Sequence, residues 1–195
     1  MKRDIILAGV GGQGILSTAA IIGLAAIEKG WHLKQAEVHG MSQRGGDVQS
    51  HLRISENPIY SDLIPFGQAD MILSVEPMES LRYLPYLNKE DGWLVSNNKP
   101  FVNITNYPDE EKIYSEIRAV NNHILINADE IAKELQSPKS ANVVMLGSAI
   151  AKLGIERHYF ENAIKGLFGK KGEEVVNVNL AALEAGIKFA EQYKV

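Results

Sequence analysis

Cysteine is missing altogether from the 195 residues of this chain. Its absence excludes a disulfide, a thiol nucleophile and any cysteine-ligated iron–sulfur cluster within the chain itself. Histidine is sparse as well. His32, His39, His51, His123 and His158 form no i,i+4 pair and no H-E-x-x-H pattern, which argues against a metal site. No G-x-S-x-G elbow occurs, and no G-K-[ST] follows a glycine loop to make a Walker phosphate site. A net charge of -4 without a basic cluster argues against a nucleic-acid partner. The longest apolar run, Ile15 to Ile27, is interrupted by Ser17 and Thr18 and is too short to span a bilayer. Met1-Lys2-Arg3-Asp4 runs straight into the first strand and leaves no room for a signal peptide, so the cytoplasm is the expected compartment. If the chain takes part in catalysis, the hard chemistry is expected on a partner.

What is present begins with glycine. The apolar run Ile5-Ile6-Leu7 leads into Ala8-Gly9-Val10-Gly11-Gly12-Gln13-Gly14, and a helical run follows from Ile15 to Lys29. Gly9, Gly11 and Gly14 have the G-x-G-x-x-G spacing: a tight turn, close approach to an anion, and close helix–strand packing. Free N–H groups at the helix start suit a phosphate-bearing ligand. A dinucleotide site would then need a second strand, an acidic residue and a second crossover helix. Trp31 to Ala36 supplies the strand, and Glu37 stands 23 positions past Gly14. The helix does not follow. His39-Gly40-Met41-Ser42-Gln43-Arg44-Gly45-Gly46 reads as a loop, and Val48 to Ser55 alternates apolar and polar as a half-buried strand does. Asn57-Pro58 then turns the chain toward Ile59-Tyr60, so a β-hairpin takes the place of the second helix. If the first two strands are neighbours running parallel through a right-handed crossover, both loops leave one rim of the sheet.

The remainder predicts continued α/β winding in one domain over 1–195, with a helical tail from about residue 140. Strands are predicted over Ala69–Val75, Gly92–Ser96 and His123–Asn127, with a short one over Phe101–Thr105. Helices are predicted from about Met78 to Leu84, from Asp109 to Arg118, and from Glu130 to Leu135 with Asp129 as its cap. Ser140 caps a helix carrying Val143, Leu146, Ile150 and Leu153 and ending at Gly154. Gly147, Ser148, Ala149 and Ala151 are small enough to let another element approach closely. A helix of Arg157 to Phe168, a Gly169-Lys170-Lys171-Gly172 turn and a last helix around Leu180–Tyr193 complete the chain. The expected fold is a three-layer, Rossmann-like α/β domain with a mostly parallel central sheet and the hairpin insertion.

Each chemically suggestive residue also has a plain reading. The glycine loop can serve packing alone. Arg44 can be a solvated loop arginine, although Gly45 and Gly46 expose backbone around it and suit an anion or a partner's carboxylate. His39 reads better as a loop hydrogen-bonder than as a catalyst, and Glu37 as a strand end. Glu76 and Glu79 could line a crevice at a strand's carboxyl end or simply front a helix. Lys170-Lys171 reads as a solvated turn.

Taken in order, these motifs resemble the gamma-type subunit of the 2-oxoacid:ferredoxin oxidoreductases. The resemblance rests on the glycine loop at 9–14, the H-G-M-S-Q-R-G-G loop, the strand after it, Ala69-Asp70, and the tail Asn177-x-Asn179-x-Ala181-Ala182 with Gly186. The H-G-M-S-Q-R-G-G form is most similar to the small subunit of the indolepyruvate branch. The resemblance implies an accessory subunit of an oxidoreductase that decarboxylates a 2-oxoacid to an acyl-CoA, inactive alone and with no catalytic residue of its own. Thiamine diphosphate and iron–sulfur clusters would belong to a large partner subunit, which passes electrons to ferredoxin. Coenzyme A would be the ligand within reach of this chain, at Gly9, Gly11, Gly12, Gln13 and Gly14 of the first loop and Ser42, Arg44, Gly45 and Gly46 of the second. The apolar tail helices would offer a surface for the partner, and for self-association of the isolated chain. Two other readings of the loop stay open here: a free-standing nucleotide-binding module, and an NAD(P)-dependent dehydrogenase.

Overall fold

A computed structural model describes residues 1–40, 45–102 and 104–193, with His39 described in its backbone only. The first strand, β1 (Lys2–Val10), is buried from Asp4 onward, and its side chains divide between two faces. Ile5 and Leu7 join one apolar core, while Ile6 and Ala8 join another. This is the period-two consequence of a strand covered on both sides. The following helix α1 (Ile15–Glu28) returns along the first face, and β2 (His32–His39) follows it. The chain then doubles back as β3 (Asp47–Ser55).

Beyond it come β4 (Met71–Ser74), α2 (Pro77–Arg82), β5 (Trp93–Asn97), α3 (Glu110–Arg118), β6 (His123–Ile126) and α4 (Ala128–Glu134). Three helices close the fold: α5 (Ala141–Ala149), α6 (Arg157–Phe168) and α7 (Glu173–Ala190). The sheet has six strands in the order β2-β3-β1-β4-β5-β6. The run β1-β4-β5-β6 is parallel, whereas β3 is antiparallel to both its neighbours. The predicted three-layer α/β architecture is therefore present, with α1, α5, α6 and α7 against the first core and α2 and α3 against the second.

The hairpin differs in detail from its sequence reading. Its arms are β2 and β3, and Ile59-Tyr60 adds no strand. β2 runs in the direction of β1 but is not its neighbour, because β3 lies between them. Burial explains the order. Leu52 and Ile54 of β3 are fully covered, so that strand needs the sheet interior, whereas β2 exposes His32, Lys34 and Gln35 and takes the edge. The strand expected over Phe101–Thr105 is absent among its described residues. The Phe101 N–H instead donates to the Glu76 carboxylate at 3.3 Å.

The last helix starts at Glu173, well before the expected Leu180, and packs on α5. Every residue from Asn142 to Ala149 is buried, because α5 lies between the sheet and α7. Among the described residues the large exposed apolar side chains are not on the tail helices, contrary to expectation. Apart from Met1 and Val38 on the edge strand, they form a stripe on α1 (Leu16, Leu24, Ile27) and the tips of two loops, Tyr60, Leu63 and Phe66 in one and Phe101, Val102 and Ile104 in the other. Among the described residues, no helix is long and apolar enough to cross a membrane.

Candidate functional site

At the carboxyl ends of β1 and β5 the glycine loop faces the start of α5 across a cleft of about 780 Å³. Ligands of open α/β sheets bind at this edge because the loops leave it and the helix starts point into it. Gly14 caps α1 with a left-handed backbone (φ 81°), and no side chain caps the helix start. A Cβ on Gly14 would stand 2.8 Å from the Asn142 side-chain nitrogen. That proximity is functional in form: Asn142 donates to the Gly14 carbonyl at 3.1 Å and to the Thr18 hydroxyl at 3.4 Å. The tail helix α5 is thereby tied to the loop 128 residues away.

Gln13 braces the loop from inside. Its side-chain oxygen accepts the Val10 N–H at 2.8 Å, and its amide nitrogen lies 3.5 Å from the Val75 carbonyl. The Gly11 N–H donates to the Gly46 carbonyl at 2.9 Å, so the glycine loop and the hairpin loop meet at one rim. Of the predicted ligand residues, Gly12, Gln13 and Gly14 line the cleft. Gly9 is packed against Val75 within the sheet, and Gly11 has committed its N–H to the hairpin. Gly45 and Gly46 lie beside Gly11, outside the cleft lining, while Ser42 and Arg44 fall outside the described residues.

Several cleft residues were invisible to motif reading. Asn97, at the end of β5, donates to Asp129 at 2.7 Å and accepts the Ala128 N–H at 3.1 Å. Asp129 is therefore not the cap of α4. Asn127 is, accepting the Glu130 N–H at 3.0 Å, and Asp129 faces the cleft. Ser140 stands at the start of α5 without capping it, because its hydroxyl pairs with that of Ser137 at 2.7 Å. Lys139 and Lys171 bring two ammonium groups to the lining, the second 5.3 Å from the Phe168 ring centre. The only sequence signal for Lys171 was the Gly-Lys-Lys-Gly turn, which read as solvated.

Glu76 and Glu79 do not line the crevice. Glu76 is fully buried and caps α2, accepting from the Glu79 N–H at 2.8 Å and from the Tyr107 hydroxyl at 2.5 Å. Burial raises the Glu79 carboxyl above the usual carboxylate range, against the opposing pull of its hydrogen bond to Arg82. Burial is also the first cause of the raised Tyr107 hydroxyl, followed by its bond to Glu76. Glu76 thus pins the loop after β5 through Phe101 and Tyr107, while Glu79 pairs with Arg82 on α2. Glu37 lies on the edge strand with Gln35 3.3 Å from its carboxylate.

The cleft thus combines a helix start, two ammonium groups and side-chain amides with an apolar wall that includes Met145 and Val178. Such a lining suits a ligand that carries an anionic group at the helix start. Among the described residues no group of histidine, aspartate and glutamate side chains has the geometry to hold a metal ion.

The sequence model for the pyruvate ferredoxin/flavodoxin oxidoreductase family matches residues 4–189. The chain belongs to that family. It is 38% identical over 200 residues to the indolepyruvate oxidoreductase subunit IorB of Archaeoglobus fulgidus, covering 97% of this chain and 96% of that one. Its fold matches the gamma subunit of the keto/oxoacid ferredoxin oxidoreductase from Geobacter sulfurreducens, with a TM-score of 0.73 at 24% identity, over 97% of this chain and 99% of the other. It also matches the 2-oxoglutarate:ferredoxin oxidoreductase of Magnetococcus marinus, solved with 2-oxoglutarate, coenzyme A and succinyl-CoA bound. There the TM-score is 0.75 at 24% identity, over 98% of this chain and 31% of that one. Neither alternative reading of the loop gains support. The β2–β3 hairpin physically replaces the second half of a dinucleotide site.

Proposed function

We propose that this chain is the small, non-autonomous subunit of a cytoplasmic ferredoxin oxidoreductase that converts indolepyruvate or a related arylpyruvate to its acyl-CoA. The single observation that carries the reading is the near-full-length likeness to the Archaeoglobus fulgidus indolepyruvate subunit. The chain's own chemistry agrees with it. Without cysteine it cannot ligate an iron–sulfur cluster through thiolates, so the clusters belong on a large partner subunit; in this reading thiamine diphosphate is held there too, with ferredoxin as acceptor.

In this reading the cleft holds part of coenzyme A. The Gly12 and Gly14 N–H groups, with Lys139 and Lys171, would receive its phosphates, and Asn97 and Asn142 hold the surrounding walls in register. Ser42, Arg44, Gly45 and Gly46 would act from the adjoining loop, on the ligand or on a partner carboxylate. Reconstitution with the large subunit and a panel of 2-oxoacids tests the assignment. Arylpyruvates are expected to give the highest kcat/KM for coenzyme A-dependent ferredoxin reduction, and the small chain alone no turnover. Preference for pyruvate or 2-oxoglutarate, or reduction of a nicotinamide by the isolated chain, would overturn it.

Arg44→Lys supplies a sharper test of the second loop. Lysine keeps the charge but loses the planar two-pronged donor, so the contact should weaken by about 1–3 kcal/mol. The readouts are the affinity of the two subunits and the apparent KM for coenzyme A. Should neither move, Arg44 is a surface residue.

A further inference from the structure

The segment after β3, residues 56–69, crosses the second face of the sheet as a strap, and two side chains of β3 hold it. Arg53 donates from Nη1 to the carbonyls of Ser61 (2.9 Å) and Leu63 (3.0 Å), while its Nε and Nη2 grip the buried Asp4 carboxylate at 2.8 and 3.0 Å. One turn of the pleat away, the Ile64 N–H donates to His51 Nδ1 at 3.0 Å. Both residues are buried, His51 4% and Ile64 2% exposed, and Ile64 belongs to the second core. The strap carries three exposed apolar side chains, Tyr60, Leu63 and Phe66. Phe66 rests on the Tyr86 ring at 4.5 Å, and Tyr86 meets the His51 ring edge-on at 5.3 Å.

This geometry dictates the state of the imidazole. A nitrogen that accepts a backbone N–H carries no proton, so the ring proton of neutral His51 sits on Nε2. The Gln49 side-chain amide lies 2.8 Å from Nε2 and must turn its oxygen toward it. Both ring nitrogens are then satisfied in the neutral form alone. A second proton can enter only at Nδ1, where it would oppose the Ile64 N–H, donor against donor, in a buried site.

We propose that His51 is a proton-operated latch: neutral, it holds the strap through Ile64, and protonated at Nδ1 it releases the strap and the apolar side chains the strap presents. The step takes one proton from solvent to Nδ1 and breaks one hydrogen bond. The latch stands on the hydrogen-bond geometry and does not depend on which oxoacid the complex uses.

The surroundings favour the closed, neutral state at ordinary pH. Burial lowers the proton affinity of His51 below that of a free imidazole. Asp62 on the strap pulls the other way, and Arg53 on the same strand adds to the lowering. Arg53 is itself paired with Asp4 of β1, so its charge is partly offset. Lys34 faces the same side on β2, opposite Arg53 in the strand register, and the hydroxyls of Tyr83 and Tyr86 belong to the segment beneath the strap. The sign follows from linkage. Once open, the strap leaves an ordinary imidazole that binds a proton near pH 6.5, whereas the closed form resists it. Closure is therefore fully stabilised above about pH 6.5 and weakens as pH falls from there toward the lowered closed-state value.

Amide hydrogen exchange of Ile64 in the full chain, expressed as a protection factor from pH 7.5 to 5.0, reads the latch directly. The imidazole ¹⁵N shifts of His51 report protonation in the same samples. Wild type should lose roughly tenfold of its Ile64 protection across that window as the opened form takes up its proton. In His51→Asn the Oδ1 atom can take the place of Nδ1 as an acceptor that does not titrate, so protection should be retained and flat with pH. His51→Leu should show low protection throughout. The latch is refuted by Ile64 protection in wild type that is as flat as in His51→Asn. It is equally refuted if His51 protonates in the folded chain while Ile64 stays protected.

Discussion

Gly186→Ala should lower stability by about 3 kcal/mol, a fall in Tm of roughly 6–12 °C for a chain of this size. The cause is a backbone-to-backbone contact between α7 and α5. A methyl group on Gly186 would lie 2.0 Å from the Val144 carbonyl oxygen, and one on Gly147 would lie 2.2 Å from that of Leu183. No rotamer can relieve either clash, because the opposing atoms are main chain. The helices must separate, and α5 loses its cover. Gly166→Ala on α6 is the control. Nothing stands within 4 Å of the methyl it would add, and the gain in helix propensity should make it neutral or stabilising by about 0.5–1 kcal/mol. Thermal melts of the two variants decide the matter. A Gly186→Ala protein within about 1 kcal/mol of wild type would mean that α5 and α7 do not touch as described.

Arg53→Leu should be at least as damaging, by about 3–5 kcal/mol, because it strands a buried charge. The Asp4 side chain is fully buried and depends on Arg53 for two hydrogen bonds, with Lys2 as the remaining cation at 2.8 Å. The same substitution removes the donors to Ser61 and Leu63, so the strap loses an anchor as well. Replacing both partners by apolar residues of similar size should recover much of the loss, since neither buried charge is then left alone. Denaturant titrations of the two single variants and the double variant form the cycle. An additive double variant would show that the pair does not act as a unit.

The main architectural features were legible in the residues because they depend on local periodicity. Ile5-Ile6-Leu7, the glycines that follow and the apolar run after Gly14 announced β1, its turn and α1. Alternation from Val48 to Ser55 announced a strand where a dinucleotide fold places a helix. What escaped depends on partners distant in sequence. The insertion of β3 between β1 and β2 follows from how completely Leu52 and Ile54 are covered, which no local window records. Asp129 and Asn127 are equally good caps by residue type. The choice is made by Asn97, which draws Asp129 away from 32 positions earlier. The early start of α7 was hidden by Asn177 and Asn179, polar residues in an otherwise apolar run. Asn179 satisfies its amide on the Val175 carbonyl at 2.7 Å within the helix itself. The site was half legible for the same reason. A glycine loop has a spacing, whereas Asn142 and Lys171 reach the cleft only through the packing of the tail.

The tie between Asn142 and Gly14 has a consequence for how the chain acquires its cleft. A hydrogen bond spanning 128 residues closes one of the longest loops the molecule can make, and the facing wall is supplied later still, by Lys171, Val178 and Asn179. During synthesis, at about 5–20 residues per second, the glycine loop must wait roughly 6–30 seconds with its opposite wall unmade. Contacts of such sequence separation are entropically late in folding. The ligand pocket should therefore be the last region to gain protection in a refolding experiment, and a ligand that bridges its walls should accelerate none of the steps before it.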